Sequence, residues 1–193
     1  MPITASTIIK TRFGDFQVSF HETESGDCVS FSQGKLTKGK PIVRLHSACL
    51  FGEVFHSLHC DCLRQVTQTM ALIQKNKCGV IVYSYQEGRG IGLKRKIEAM
   101  EIQRVENCDT VEAFKRLGVE KSDPRDFKAE VQALKDLGVA NDIQSFSGNP
   151  IKGAALKAAG FRVANNLKID DTDLSEMAKE EIKTKIKKMG YKY

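Results

Sequence analysis

The sequence has no tryptophan, and aromatic residues make up only 7% of its 193 residues. A module that grips nucleic acid by stacking needs aromatic platforms, so a nucleic-acid-binding function is not expected. No apolar run approaches the roughly 20 residues needed to cross a bilayer, which disfavours a membrane protein. The opening segment MPITASTIIKTRFG lacks the apolar stretch of a signal peptide. The expectation is therefore a cytoplasmic protein. There is no internal repeat, no low-complexity segment and no recognisable linker, so the length reads as one domain, residues 1–193, with a proper core.

Positive charge is in excess, at a formal net +6. A basic protein attracts phosphates, whether of nucleic acid or of nucleotides. Much of the excess sits in the tail KEEIKTKIKKMGYKY, which reads as an exposed basic helix over about residues 172–193. Six cysteines are present: Cys28, Cys49, Cys60, Cys62, Cys78 and Cys108. In a cytosolic chain these are expected as thiols or metal ligands rather than disulfides.

The hydrophobic pattern predicts an α+β fold, a mixed α/β domain with a β-rich start followed by alternating helices and strands. FGDFQVSF, DCVSFS and PIVRLHS read as strands. LRQVTQTMALIQKN has helical spacing, and CGVIVYSY is a buried-strand candidate. Helices are predicted in GLKRKIEAMEIQRV, TVEAFKRLG and RDFKAEVQALKDLGV, the last stopping at Gly138. DIQSFS and FRVANNLKI are strands around the helix NPIKGAALKAAG.

The segment CLFGEVFHSLHCDC raises a metal question. Cys49, Cys60 and Cys62 are soft ligands suited to tetrahedral zinc, with His46, His56 and His59 close in sequence. Three protein ligands would leave a position for water, the catalytic pattern; a histidine or Cys28 would close the site and make it structural. Spacing alone leaves both readings open, along with no metal at all. Gly52 would let the loop bend. Asp61 could orient the loop or be an ordinary exposed carboxylate. Gln65, three residues after Cys62, could face the metal from the start of a helix, or lie on the surface.

Two phosphate signatures are decoys. GKLTKGKP fits the spacing of a P-loop, but Pro41 stands where Ser or Thr is needed and strands flank it. EGRGIG lacks dinucleotide-fingerprint spacing. It nonetheless lies between a predicted strand and a helix, where glycines let backbone approach phosphate and Arg89 offers a fork of donors. A plain tight turn is the alternative. SDPRDF places Asp123, Arg125 and Asp126 before a helix, or else caps it through Ser122 or Asp123. SGNPIK repeats the strand-to-helix geometry, with Lys152 as the charge.

In order along the chain, R-L-H-S-A-C, C-D-C-x-x-Q, Q-E-G-R-x-I-G-L, D-T-V-E-A, D-x-R-D-F and N-P-x-K resemble GTP cyclohydrolase II from about Arg44 to Lys152. The resemblance implies hydrolytic opening of the guanine imidazole ring of GTP, with pyrophosphate and formate released at the start of riboflavin synthesis. It implies zinc on Cys49, Cys60 and Cys62 with water in the fourth place, and Mg²⁺ on the triphosphate. It implies that Arg44, Leu45, His46, Ser47 and Ala48 line the GTP site. Gln65, Glu87, Gly88, Arg89, Thr110, Ser147 and Lys152 would bind substrate. Asp123 would accept a proton, and Arg125 occupies the position assigned as nucleophile, although guanidinium is a poor nucleophile and a phosphate clamp is the conservative alternative. A homodimer is also implied.

Several positions depart from the family pattern: Glu53, His59, Gly90 and Gly148. The most consequential departure is Met100, in KIEAMEIQ, where the family commonly has tyrosine. A thioether cannot donate a hydrogen bond, and methionine there is associated with keeping the formyl group. A formylated product is therefore expected, with full formate release for riboflavin synthesis as the alternative, a paralogue in secondary metabolism as a further setting, and a non-catalytic zinc module as the remote one.

Overall fold

The structure, a computed structural model, describes residues 3–168 and 170–192. The β-rich start forms four strands: β1 (Ile3–Thr11), β2 (Gly14–His21), β3 (Cys28–Gln33) and β4 (Ile42–Ser47). They join β5 (Gly79–Ser84), β6 (Asp142–Ser145) and β7 (Arg162–Asn166) in one seven-stranded sheet ordered β1-β2-β3-β5-β4-β6-β7. Pairing is antiparallel from β1 through β3 to β5 and parallel from β4 through β6 to β7. The predicted mixed α/β class is what forms.

The helices are α1 (Leu50–Glu53), α2 (Cys62–Asn76), α3 (Gly92–Glu106), α4 (Thr110–Arg116), α5 (Lys128–Asp136), α6 (Pro150–Ala158) and α7 (Glu176–Met189), with a 3-10 turn at Glu87–Gly90. None among the described residues is long and apolar enough to cross a membrane. The predicted helix from Arg125 starts later, at Lys128. Phe127, not Ser122 or Asp123, is its N-cap. Of the residues before it, Asp123 and Arg125 instead pair with one another, as described below.

The chain divides into two compact units, each assembled from three stretches. The first contains the chain through His46, Arg64–Tyr85 and the chain from Asp126 to the last strand. It carries the sheet. β5 reads as an unbroken apolar run because it is covered on both faces: Val80 and Val82 pack with Val43, Leu45, Leu134 and Leu156, while Ile81 packs with Phe16, Ile42 and Ile73. Alternation along β4 and β5 thus splits one sheet between two apolar layers.

The second unit contains Ser47–Leu63, Gln86–Arg125 and the chain from Asp170. Helices dominate it. Its apolar cluster is small, built on Ala99, Ala113, Phe114 and Val119. The tail helix α7 belongs here and is shorter than the expected 172–193; Tyr193 lies outside the described residues. It is not merely an exposed basic helix, since Ala178, Ile182 and Lys185 are buried along one side.

Candidate active site

The second unit gathers the three cysteines. Cys49 precedes α1, whose four residues turn the chain back, and Cys62 opens α2. The Sγ atoms of Cys49 and Cys60 are 3.7 Å apart, and all three sulfurs lie within 4.8 Å of one another. Zinc–sulfur bonds of about 2.3 Å in a tetrahedron put neighbouring sulfurs about 3.8 Å apart, so the donor set fits zinc in both chemistry and spacing. Among the described residues this group contains no histidine and not Cys28, whose Sγ instead faces the Ala129 carbonyl oxygen at 3.8 Å.

Gly52 contributes space rather than a bend. It is helical, and a Cβ there would stand 2.7 Å from Cys60 Sγ and 3.2 Å from Cys49 Sγ. Hydrogen bonds from Cys60 and Cys62, and then Lys96, hold the Cys49 thiol far below its usual pKa. The same contact with Cys49 pushes Cys60 up to about 11, and Cys62 well above its ordinary value. One thiolate can therefore form unaided; ionising all three calls for a cation among them.

Lys96 was not singled out from sequence, yet its Nζ lies 3.2 Å from Cys49 Sγ and 2.7 Å from Glu87 Oε1. Burial works to lower its pKa, but the Glu87 and Cys49 contacts outweigh it and the ammonium is held more firmly. Glu87 also accepts from the Leu50 N–H at 2.7 Å and from the Gly88 N–H at 2.9 Å. Glu87, expected to contact substrate, thus also braces the cysteine loop.

Gly88, Arg89 and Gly90 all have positive φ (60°, 58° and 86°), so the turn is left-handed through a non-glycine residue. A Cβ at Gly90 would meet Arg125 Cγ at 3.2 Å. Arg89 donates to Thr110 Oγ1 at 3.1 Å, lies over the Phe114 ring and pairs with Glu181 of α7. Thr110 opens α4 behind its N-cap Asp109, which accepts from the Val111 and Glu112 N–H groups and also pairs with Lys188.

Asp123 and Arg125 form a bidentate pair, Nε–Oδ1 2.7 Å and Nη2–Oδ2 2.6 Å. Arg125 also donates to Ser47 Oγ at 3.2 Å, and the Tyr191 hydroxyl lies 3.2 Å from Arg125 and 3.3 Å from Asp123. Burial acts to lower the Arg125 pKa, but Asp123 overcomes it and the guanidinium is even harder to deprotonate than usual. Asp61 is buried, not an exposed carboxylate, with Lys185 at 3.7 Å. Met100 is half-buried on α3, and the apolar cluster takes Ala99 and Ile102 from that helix instead.

The first unit holds the other predicted residues. Arg44 is buried and donates to His46 Nδ1 at 2.9 Å, to the Phe146 carbonyl at 2.7 Å and to Gln65 Oε1. Gln65 therefore meets Arg44. His46 stacks on Tyr83 at 5.5 Å, and with Nδ1 accepting from Arg44 it is held in the tautomer protonated at Nε2. Leu45 is core, and its carbonyl accepts from Lys152 Nζ at 2.7 Å; that ammonium also lies over the Phe127 ring. Ser147 accepts from the Asn149 N–H at 3.2 Å, and Asn149 caps α6. Ala48 is half-buried in the link from β4 to Cys49.

Glu181, Tyr191 and Lys96 were missed in the sequence. Glu181 and Tyr191 lie in a tail whose composition signals only a charged helix. Lys96 is one of several basic residues in GLKRK, with no local pattern to separate it from the others.

The family model described as GTP cyclohydrolase II matches residues 3–168 of this chain. The riboflavin biosynthesis protein RibBA of Cytophaga hutchinsonii is 38% identical over 184 residues, covering 94% of this chain and 44% of that protein. RibBA of Chlorobium phaeovibrioides is 36% identical over 186 residues, covering 95% and 44%. RibBA of Bacillus cereus strain AH187 is 37% identical over 190 residues, covering 95% and 46%. This chain thus spans less than half the length of these relatives. Among solved structures, RibBX, a two-domain 3,4-dihydroxy-2-butanone 4-phosphate synthase from A. baumannii, gives a TM-score of 0.44 at 17% identity over 86% of this chain and 39% of that one.

Proposed function

Because this chain belongs to the GTP cyclohydrolase II family of hydrolases acting on GTP, we propose that it opens the guanine imidazole ring of GTP and releases pyrophosphate, with zinc on Cys49, Cys60 and Cys62. The observation that carries this reading is the three-sulfur cluster, spaced for zinc, in one unit with Arg89, Thr110, Asp123 and Arg125. Zinc, when bound, supplies a Lewis acid that brings the pKa of water to about 7.

The chain's own residues do the rest. Lys96 offsets the negative charge that three thiolates gather and, through Glu87, ties the turn at Gly88 to the cysteine loop. Arg89 and Arg125 are the cations for the triphosphate, with Mg²⁺ alongside them. The firmly held proton on Arg125 makes it a clamp, not a nucleophile. Asp123 is the proton acceptor, oriented by Arg125 and Tyr191. Ser47 and Ala48, in the same unit, keep the substrate-binding role that the motif match implies. Arg44 donates to His46 and Gln65 and so orients both.

The product is a pyrimidinone ribosyl 5'-phosphate. Formate release needs one further hydrolysis, and Met100 offers no hydrogen-bond donor to assist it; the formyl group is therefore kept. The relatives named for riboflavin biosynthesis favour the second reading, in which formate leaves. Zinc-loaded protein is incubated with GTP and Mg²⁺, and the pyrimidine mass and free formate are measured together. A formylated pyrimidine without formate is expected, with Met100→Tyr gaining formate release. Stoichiometric formate from the wild type overturns formyl retention, and unconsumed GTP overturns the whole reading. The protein is proposed to be homodimeric, as the resemblance implies, and cytoplasmic, as the sequence reading expects.

A further inference from the structure

The tail helix α7 sends a row of side chains, at positions 181, 185, 188 and 191, into the second unit. Glu181 pairs with Arg89, Lys185 faces Asp61, Lys188 pairs with Asp109 and Tyr191 bonds both Asp123 and Arg125. Spacings of three and four put these residues on one side of the helix, with Tyr191 just beyond its Gly190 cap. Each partner lies in, or next to, a segment that the sequence marked for substrate or metal.

Glu181 stands apart from the other three because it is an anion set against a cation. Its carboxylate occupies one arm of the Arg89 fork, while Thr110 and the Phe114 ring hold the remainder of that side chain. Arg89 and Glu181 side chains are 11% and 19% exposed, so the pair is mostly shielded from salt and water. A second cation lies on the same helix: Lys185 Nζ, which also faces Asp61, is 3.8 Å from Glu181 Oε1. If a phosphate takes the Arg89 fork, the carboxylate has a partner one helical turn away and is not stranded as a buried charge.

We propose that Glu181 is an affinity-setting residue: an internal anion that competes for Arg89, so that a phosphate ligand must bring contacts beyond Arg89 to displace it. The inference rests on the proposed role of Arg89 in binding the GTP phosphates. A single phosphate exchanges one anion for another at Arg89 and gains little. A pyrophosphate or triphosphate brings further contacts and wins the exchange. Glu181 thereby sets a threshold of affinity that a ligand with one phosphate does not reach.

The test uses the zinc-loaded protein and calorimetric titration with inorganic pyrophosphate, GTP and GMP. Glu181→Gln removes the competing charge while keeping size and hydrogen bonding. It is expected to bind pyrophosphate and GTP each about tenfold more tightly, equivalent to about 1.4 kcal/mol, and GMP more tightly by a factor no larger. Glu181→Asp keeps the charge and is expected to stay within about threefold of wild type. Equal or weaker pyrophosphate binding by a folded Glu181→Gln overturns the inference. A wild type that binds neither pyrophosphate nor GTP overturns the reading of Arg89 on which it rests, a separate failure. Should Glu181→Gln not fold, amide exchange on the wild type decides. Pyrophosphate should speed exchange in α7 as the Arg89 pair opens; unchanged or slower exchange there overturns the inference.

Discussion

The sheet-bearing unit buries Phe16, Ile42, Ile73 and Ile81 on one face and Val43, Val80, Val82, Leu134 and Ile143 on the other, whereas the helical unit has Ala99, Ala113, Phe114 and Val119 at the centre of its cluster. What the helical unit has instead is charge in contact: Arg125 with Asp123, Arg89 with Glu181, Lys96 with Glu87, and Lys185 with Asp61. Apolar burial is additive and indifferent to detail, at about 25 cal/mol per Å². Paired buried charges give little net stability, but removing one partner is costly. One unit is thus built to be stable. The other is built around polar groups that already face one another, with three thiols that cannot all ionise alone. The residues proposed for metal and phosphate chemistry concentrate in the unit with the smaller core.

Breaking the metal cluster gives the largest expected effect and tests this division directly. Cys60→Ser should lower GTP turnover by more than about a thousandfold, since the loss of a ligand exceeds the tenfold to hundredfold cost of an outer-shell change. Chelation of the wild type should act on the same unit. Amide exchange should rise in 49–63 and in α3 and change little in β3 and β5. Exchange rising equally in both units would show that the two share one stability and would sink the comparison.

The converse test is in the sheet. Leu134 is fully buried between α5 and the sheet. Leu134→Ala should cost about 3 kcal/mol, within the range for large-to-small core changes. It should do so with zinc stoichiometry unchanged in the folded protein. Denaturant melts and metal analysis check both halves. A variant that keeps its stability, or one that folds but no longer binds zinc, would contradict the assignment of these roles to separate units.

The same contrast explains what could be read from sequence. Strands such as CGVIVYSY announce themselves because burial on two faces leaves an unbroken apolar run, and period-two alternation marks FGDFQVSF. The cysteine cluster was legible because thiol chemistry narrows the choices, although spacing could not tell three ligands from four. Ion pairs across long separations carry no such signature. Arg89 and Glu181 are 92 positions apart, and Asp123 and Tyr191 are 68 apart. Each end is an ordinary charged or polar residue in its own window. The tail therefore read as solvated, and Asp61 as open to either role, until the fold brought their partners to them. SDPRDF misled for a related reason: Ser122 and Asp123 fit a local capping pattern, whereas the cap is Phe127 and Asp123 pairs with Arg125.

The smallest effect expected is a pH dependence inside the sheet unit, at His21. Its Nε2 shares a 2.8 Å hydrogen bond with Ser30 Oγ, and the side chain is almost fully buried. Burial lowers its pKa below 6.5, against a weaker upward pull from Asp136. The neutral ring is thus favoured by the folded state, and the unfolded chain binds the proton more readily. The stability this contributes is complete above about pH 6.5. It is lost as pH falls through that value toward the lower folded-state pKa. One unit below the unfolded pKa the loss cannot exceed about 1.4 kcal/mol. Any metal released at the same pH is common to wild type and variant, so the difference between them isolates the ring. Melting of wild type and His21→Asn at pH 7.5 and 5.5 should show a steeper fall for the wild type. Parallel slopes would mean that the proton is taken up elsewhere, and that the better-packed unit is no more sensitive to a buried charge than the unit made of them.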